Sequence, residues 1–410
     1  MRARRLAARW VISIESAPIE RGALLIGPDG RVQAVGPDSN VPHPPDVAAE
    51  DFGEAVILPG LINTHTHLEL TGFAGQVREQ EFAAWIRRLR ALKTTRVPAD
   101  YVEAARRGLQ ACFAAGVTTI ADTGDSGAVI QALSEAGGSG VAYQEAFGPH
   151  TSDAEESLAR LRAKVDGSRQ WATGRVRIGV SPHAAYTVSR QLFSGVARWA
   201  QEEGLPLAVH VAESQAESEF LTAGTGPFAE AWRARGIPLP QPLGRTPVRW
   251  LAEQGVLTDR TLCIHAVQAS PADVELLAEY GAAVAHCPLS NHAHGHGAAP
   301  LASLLQAGIR VGLGTDSEVS VGRLDLLAEA RAAGGLAPLT PHDLIALCTL
   351  GGARALGLDA QTGSLRKGKW ADCAVIRLRG EQAPGEGVLA SSSADVLLTC
   401  LGGKDVYRAR

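Results

Sequence analysis

The chain has 410 residues, 45% hydrophobic and 20% charged, with a formal net charge of −4. That length buries a large core, so one large domain with a smaller appendage is expected rather than three separate domains. The balance of charge excludes a polybasic nucleic-acid surface or membrane patch, and no stretch reaches the roughly 18 apolar residues of a membrane span. The expectation is therefore a soluble protein with no nucleic-acid or membrane partner.

Residues 1 to about 55 carry short β-type runs, Trp10–Ile14, Ala23–Ile26 and Val32–Val35, separated by Gly, Pro and Asp turns. This unit is too short to be a stable domain alone. From residue 56 the texture changes. Apolar strand-like runs recur at 56–62, 117–122, 141–145, 176–181, 207–210, 262–265, 282–286 and 311–316. Segments of helical spacing lie between them, such as Phe82, Trp85, Ile86, Leu89 and Leu92, an apolar face at three-and-four intervals. Ser270-Pro271 and Thr340-Pro341 each read as a cap followed by a first-turn proline. Eight strand–helix repeats predict a (β/α)8 TIM-type barrel over 56–358; a doubly wound sheet competes but more usually has fewer strands. After Leu358 β texture returns in Gly363–Lys369, Ala374–Leu378 and Val396–Cys400. The two ends, 1–55 and 359–410, are expected to join in one small β-sandwich domain.

Chemistry in such a barrel belongs at the C-terminal ends of its strands. Strand 1 leads into Asn63-Thr64-His65-Thr66-His67, where two imidazoles two residues apart in extended backbone point the same way. The other strand ends supply His183, His210, His265 and Asp316. These six titratable residues fall where a single metal site could collect them. Core histidines bound to backbone carbonyls would leave this common position unexplained. His43 and His342 fall elsewhere and read as solvated bystanders. Glu213, three residues past His210, can reach both a water and a substrate ring; it also reads as a plain loop residue. Asp316 has a second reading as a helix N-cap, with Ser317 beside it. The run His292-Ala293-His294-Gly295-His296 reads as a pocket wall, with a second metal site as the alternative. Six cysteines without a Cys-x-x-Cys pair exclude a zinc ribbon and a disulfide framework, and fit a reducing cytoplasm. Gly363-x4-Gly368-Lys369 fails as a phosphate loop because Trp370 stands where Ser or Thr is required.

Pro59–His67, His210-Val211-Ala212-Glu213, Gly314-Thr315-Asp316-Ser317 and the closing Gly363–Ala371 stretch resemble the amidohydrolase superfamily over nearly the whole chain. Its mononuclear-metal aminohydrolase branch, with adenosine-type and S-adenosylhomocysteine deaminases and some chlorohydrolases, is the most similar. The resemblance implies metal ligands His65, His67, His210 and Asp316, binding one divalent ion, zinc before ferrous iron. It implies Glu213 as proton shuttle, His265 as the group polarising the attacking water, Asp316 as proton acceptor, and His183 as a substrate contact. The reaction implied is hydrolytic release of ammonia from an aminated purine-type heterocycle by a metal-bound hydroxide. The alternatives are dechlorination or cyclic-amide hydrolysis at the same site, and a barrel that only binds or scaffolds. Two-metal relatives use a carboxylated lysine from strand 4, absent here, or a glutamate from strand 3, for which Glu145 is the candidate; one metal is expected.

Further segments, among them His67–Gly72, Phe82-x-x-Trp85-Ile86 and Pro247–Leu251, resemble a subgroup that includes aminodeoxyfutalosine deaminases of menaquinone biosynthesis. Their substrate joins an adenine, a ribose-like unit and a carboxylate. Trp85 is a candidate substrate contact, Glu69 is expected to meet hydroxyls, and Arg87, Arg88 or Arg249 the carboxylate. Leu289 and Ala185 replace an arginine and a proline usual in relatives. The partner expected is a small-molecule substrate, with a homodimer left open.

Overall fold

A computed structural model describes residues 2–409. Its strands, in chain order, are β1 (Arg4–Val11), β2 (Ile19–Ile26), β3 (Val32–Pro37), β4 (Ala48–Asp51), β5 (Ala55–Pro59), β6 (Leu61–Thr66), β7 (Val117–Gly124) and β8 (Gly140–Ala146). They continue with β9 (Val176–Pro182), β10 (Leu207–Val211), β11 (Thr261–His265), β12 (Ala283–His286), β13 (Val311–Leu313), β14 (Cys373–Arg377), β15 (Val396–Leu401) and β16 (Lys404–Arg408). Strands β6 to β13 form one parallel sheet in sequence order, with helices in the connections. This is the (β/α)8 barrel.

The barrel closes at the site. Thr315 and Asp316 donate their backbone N–H to the His65 carbonyl at 3.1 and 3.0 Å. The Asn63 side chain completes the seam, giving Nδ2–H to Thr315 Oγ1 at 2.8 Å and taking the Thr315 N–H at 3.1 Å. Inside the barrel Ile62, Ala121, Val141, Tyr143, Ala208, Ile264 and Ala285 form one cluster, while their neighbours Val209, Cys263 and Val284 pack outward into the main core. That alternation is the period of two expected of strands buried on both faces.

The chain ends form a single mixed sheet, β16-β15-β14-β5-β1-β2-β3, with β4 beside β1. Two expectations need correction here. The apolar run 56–62 is not one strand: Ala55–Pro59 belongs to the terminal sheet and Leu61–Thr66 to the barrel. The break has a physical cause. Pro59 has no N–H to continue a ladder, and a Cβ on Gly60 would lie 2.2 Å from Thr118 Oγ1, so only glycine lets the chain pass against β7. Gly363–Lys369 makes turns rather than a strand. The caps at 270 and 340 form as expected, with Ser270 and Thr340 each accepting an N–H three residues on. Among the described residues no helix is long and apolar enough to cross a membrane, and all six cysteines are free and buried.

Candidate metal centre and active site

The strand ends bring His65, His67, His210, His265 and Asp316 to one place. The rings of His65 and His67 lie 4.7 Å apart, His65 and His210 5.0 Å, and His210 and His265 5.6 Å. Asp316 Oδ1 is 3.5 Å from the Nε2 atoms of both His65 and His67. Two ligands about 2.1 Å from a tetrahedral ion stand about 3.4 Å apart, so this edge fits a shared ion. Each donor is aimed by what holds its far side. His67 Nδ1 donates to the Thr123 carbonyl at 2.8 Å and His210 Nδ1 lies 3.3 Å from the His183 carbonyl, leaving each Nε2 as a lone pair. Ser290 and Ser320 donate to Asp316 Oδ2 at 2.5 and 3.1 Å, leaving Oδ1 to the histidines. Among the described residues neither ring nitrogen of buried His65 has a well-formed hydrogen bond, its ion-pair neighbour being Asp316 Oδ1 at 3.5 Å from Nε2, a lack that burial makes costly unless a ligand supplies the partner. The N-cap role falls to Ser317, which accepts the Ser320 N–H, so Asp316 is free of it.

Electrostatics suit a cation. Burial, aided by His65, brings His67 down to about 4, and burial with His67 brings His183 to about 3. Burial likewise holds His210 and His265 well below the ordinary histidine range. Burial works to raise Asp316, yet the close approach of His65 and the adjoining His67 keeps it well below the usual carboxylate value. The ligand set is thus lone pairs and one anion, ready without proton loss at neutral pH.

Glu213 stands beside this cluster, its Oε1 3.5 Å from His265 Nε2 and 3.7 Å from His296 Nε2. Burial first, then repulsion from Asp316 and Glu217, raises it well above the usual carboxylate range. Asn291 Oδ1 holds His265 Nδ1 at 2.9 Å, turning Nε2 toward Glu213. Four residues here take left-handed backbone, Ala212 (φ 50°), His265 (φ 75°), Ala266 (φ 51°) and Asp316 (φ 56°). For residues with side chains this is strain that clusters at functional sites.

The family model described as "Amidohydrolase family" matches residues 56–404. An aminodeoxyfutalosine deaminase of Deinococcus radiodurans is 34% identical over 339 residues, 78% of this chain and 78% of its own. A 5'-deoxyadenosine deaminase of Methanothermobacter thermautotrophicus is 31% identical over 414 residues, 96% of this chain and 91% of its own. In fold, an adenosine deaminase from Xanthomonas campestris with bound zinc superposes with a TM-score of 0.83 at 23% identity, over 98% of this chain and 92% of that one. The chain belongs to the amidohydrolase family. It is a hydrolase acting on carbon–nitrogen bonds that uses a divalent metal, and the reading as a non-catalytic scaffold is set aside.

The cavity of this amidohydrolase lies over the ligand cluster. One wall is the helix α1 (Phe82–Lys93), which contributes Phe82, Trp85, Ile86, Leu89, Arg90 and Lys93; others are Glu145, Phe147, His183, Tyr186 and His294. Trp85 and His183 therefore face it. Arg249 does not: it is exposed on the helix Pro247–Glu253, away from the lining. Arg87 and Arg88 also point away, and Arg90, on the same helix, is the arginine that lines the cavity. Helical spacing holds the signal for Arg90, since it continues the face of Phe82 and Trp85–Ile86. Glu69 is set behind the wall. Its carboxylate takes Lys93 Nζ at 2.8 Å, Ser126 N–H at 3.1 Å and the Ser126 hydroxyl, so no oxygen is left for a substrate hydroxyl. Although burial opposes it, Lys93 and those donors hold Glu69 down at about 2. His294 and His296 pack against α1, with ring distances of 4.7 Å from Trp85 to His294 and 4.5 Å from Phe82 to His296; His292 is exposed. Among the described residues, this run forms no group of three potential ligands.

Proposed function

We propose that this amidohydrolase is a hydrolytic deaminase that replaces the exocyclic amine of an aminated purine-type heterocycle with oxygen from water, releasing ammonia. His65, His67, His210 and Asp316 would hold one divalent ion, zinc in preference to ferrous iron because a given nitrogen and oxygen donor set binds zinc more tightly. Such an ion, when bound, supplies the Lewis acidity that makes a water nucleophilic at neutral pH. The observation that carries the reading is Glu213: a carboxyl whose hold on a proton burial strengthens, with Oε1 3.5 Å from His265 Nε2 and lining the cavity over the ligand cluster. Neutral, it has a proton to give to a ring nitrogen as the amine-bearing carbon is attacked. As carboxylate it then takes a proton from the added water and passes it to the departing ammonia. His265 orients the water through Nε2, and Asp316 accepts the water's other proton, which returns to Glu213 to restore the acid.

Within that class, a nucleoside bearing a remote carboxylate, such as 6-aminodeoxyfutalosine, is supported by Arg90. Its side chain forms no ion pair among the described residues and lines a cavity walled by Phe82, Trp85 and Phe147. A role in menaquinone biosynthesis and a cytoplasmic location follow from that substrate. Ammonia release should be measured across adenosine, 5'-deoxyadenosine, 5'-methylthioadenosine and 6-aminodeoxyfutalosine, against chloride release from a chlorotriazine. Glu213→Gln should lower kcat on the best substrate by about 100-fold or more, the scale of general acid–base catalysis, with metal content unchanged. Release of chloride but no ammonia would sink the proposal.

A further inference from the structure

The N-terminal end of the barrel, away from the catalytic cavity, holds positive charges with no counter-ion. A second cavity of about 530 Å³ lies there, among the starts of β9, β10, β11 and β13. Arg177, the second residue of β9, lines it. Val176 and Val180 pack outward into the main core, so alternation turns Arg177 and Gly179 to the barrel interior. A Cβ on Gly179 would lie 2.4 Å from Tyr143 Cδ1, so the bare glycine lets the Tyr143 ring lie across β9. Tyr143 is 3% exposed and lines the same cavity. Burial pushes its phenol up and the nearby Arg177 charge draws it part of the way back, so the hydroxyl keeps a proton to donate. Among the described residues neither the Arg177 guanidinium nor the Tyr143 hydroxyl has a hydrogen-bond or ion-pair partner. Two more guanidiniums of the lining are held by carbonyls alone. Arg260 donates to Gly204 at 2.8 Å, and Arg310 to Asp259 and Gly281 at 2.6 Å each and to Arg354 at 3.2 Å. A carbonyl fixes a guanidinium without cancelling its charge. Arg169 is paired, with Asp166 and Glu203 at 3.0 and 3.1 Å. The carboxylate of the lining, Asp259, forms no ion pair among the described residues, so three unpaired cations face one unpaired anion.

We infer that this cavity binds a small phosphorylated organic molecule. Arg177 and Tyr143 hold the phosphoryl oxygens, Arg260 and Arg310 add charge beside them, and Leu205, Pro206 and Leu356 seat the organic body. A phosphoryl group rather than a carboxylate follows from the donors. One guanidinium fork already satisfies the two oxygens of a carboxylate. A free guanidinium, a phenol and two further cations match three oxygens that carry about two negative charges. The volume falls in the range of small-molecule sites, which sets a polymer aside. Closing the barrel floor by capping strand-start carbonyls is the competing use of these arginines. It accounts for Arg260 and Arg310 but leaves Arg177 and Tyr143, which bond nothing, without a role. The cavity shares no lining residue with the catalytic one, so the inference stands whatever the substrate there is.

The test is calorimetric titration of the metal-loaded enzyme with phenyl phosphate and with benzoate, which pairs the same ring with a carboxylate. Phenyl phosphate should bind about 10-fold or more tightly than benzoate, the scale of one added charge-assisted hydrogen bond. Arg177→Gln should weaken phenyl phosphate by about 10-fold or more and Tyr143→Phe by about 3-fold or more, with metal content as in wild type. Tyr143→Phe keeps the ring over Gly179, so it decides the matter even if Arg177→Gln does not fold. Arg90→Gln, which alters the arginine of the catalytic cavity, should leave the affinity unchanged. A dissociation constant for phenyl phosphate above about 1 mM would overturn the inference. So would equal affinity for benzoate, or binding unaffected by either Arg177→Gln or Tyr143→Phe. A loss in Arg90→Gln in their place would put the anion in the catalytic cavity and overturn it as well.

Discussion

His265 shows how far a single residue departs from what periodicity allows. Cys263 packs outward and Ile264 inward, so strict alternation would send His265 away from the cavity. Its left-handed φ of 75° turns it back, and the Asn291 bond holds it there. A strand-end histidine is visible in the sequence; the backbone reversal that makes it useful is not, because nothing in Leu262-Cys263-Ile264-His265 announces it. His210 needed no such device, since Ala208 two residues before it already faces inward. Glu217 carries the residue-scale prediction. Burial raises it to about 7, even though it accepts the Glu213 N–H at 2.9 Å. A carboxyl whose folded value lies above its unfolded one favours the fold while protonated. That contribution is complete below the ordinary carboxyl value and is lost as pH rises through about 7. It amounts to about 3 kcal/mol. Urea unfolding of wild type and Glu217→Gln between about pH 4.5 and 8 should therefore show the variant losing less stability across the window. Parallel curves would mean that Glu217 is not buried as a neutral acid.

At the scale of an element, α1 displays what a pattern says and what it omits. Its apolar stripe was legible as a face to be buried, but the same stripe suits a core or a cavity wall. Only the fold shows that Phe82, Trp85 and Ile86 look onto the ligand cluster. Its last turn is tied down by Lys93, which reaches Glu69, two residues after His67, and Asp125, two after the Thr123 that orients His67. The wall and the first two metal ligands are thus joined through one ammonium. Lys93→Met would leave the Glu69 carboxylate, 2% exposed, without its cation. We expect a loss of about 3 kcal/mol, the lower end for a broken buried pair because Lys93 itself is one-fifth exposed. The Glu69→Gln, Lys93→Met double variant should recover much of it, since the uncompensated charge is gone. Losses that simply add would show that the pair does not act as a unit.

For the whole molecule, the sequence indicated that the two ends meet but hid how they are fused to the barrel, because an apolar run such as Val56–Ile62 looks the same whether it serves one sheet or two. In the fold, odd and even residues of the terminal strands serve different cores. Ile57, Cys373 and Val375 pack within the terminal sheet, while Val56, Leu58, Ala374 and Ile376 join the main core of the barrel. Asp372 pins the seam. It accepts from Arg175 at 2.6 Å, Thr362 at 2.8 Å and the Gly402 N–H at 2.7 Å, and its carbonyl takes the Gly60 N–H at 2.9 Å, at the hinge between β5 and β6. Asp372 is 1% exposed and Arg175 16%, so Asp372→Ala strands a guanidinium and two donors at once and should cost about 3–5 kcal/mol. Because one core spans both modules, that loss should appear as an equal shift of a single unfolding transition, whether followed by circular dichroism, tryptophan fluorescence or retained zinc. A terminal sheet that unfolds first, with zinc still bound to an intact barrel, would show instead that the shared core does not couple the two.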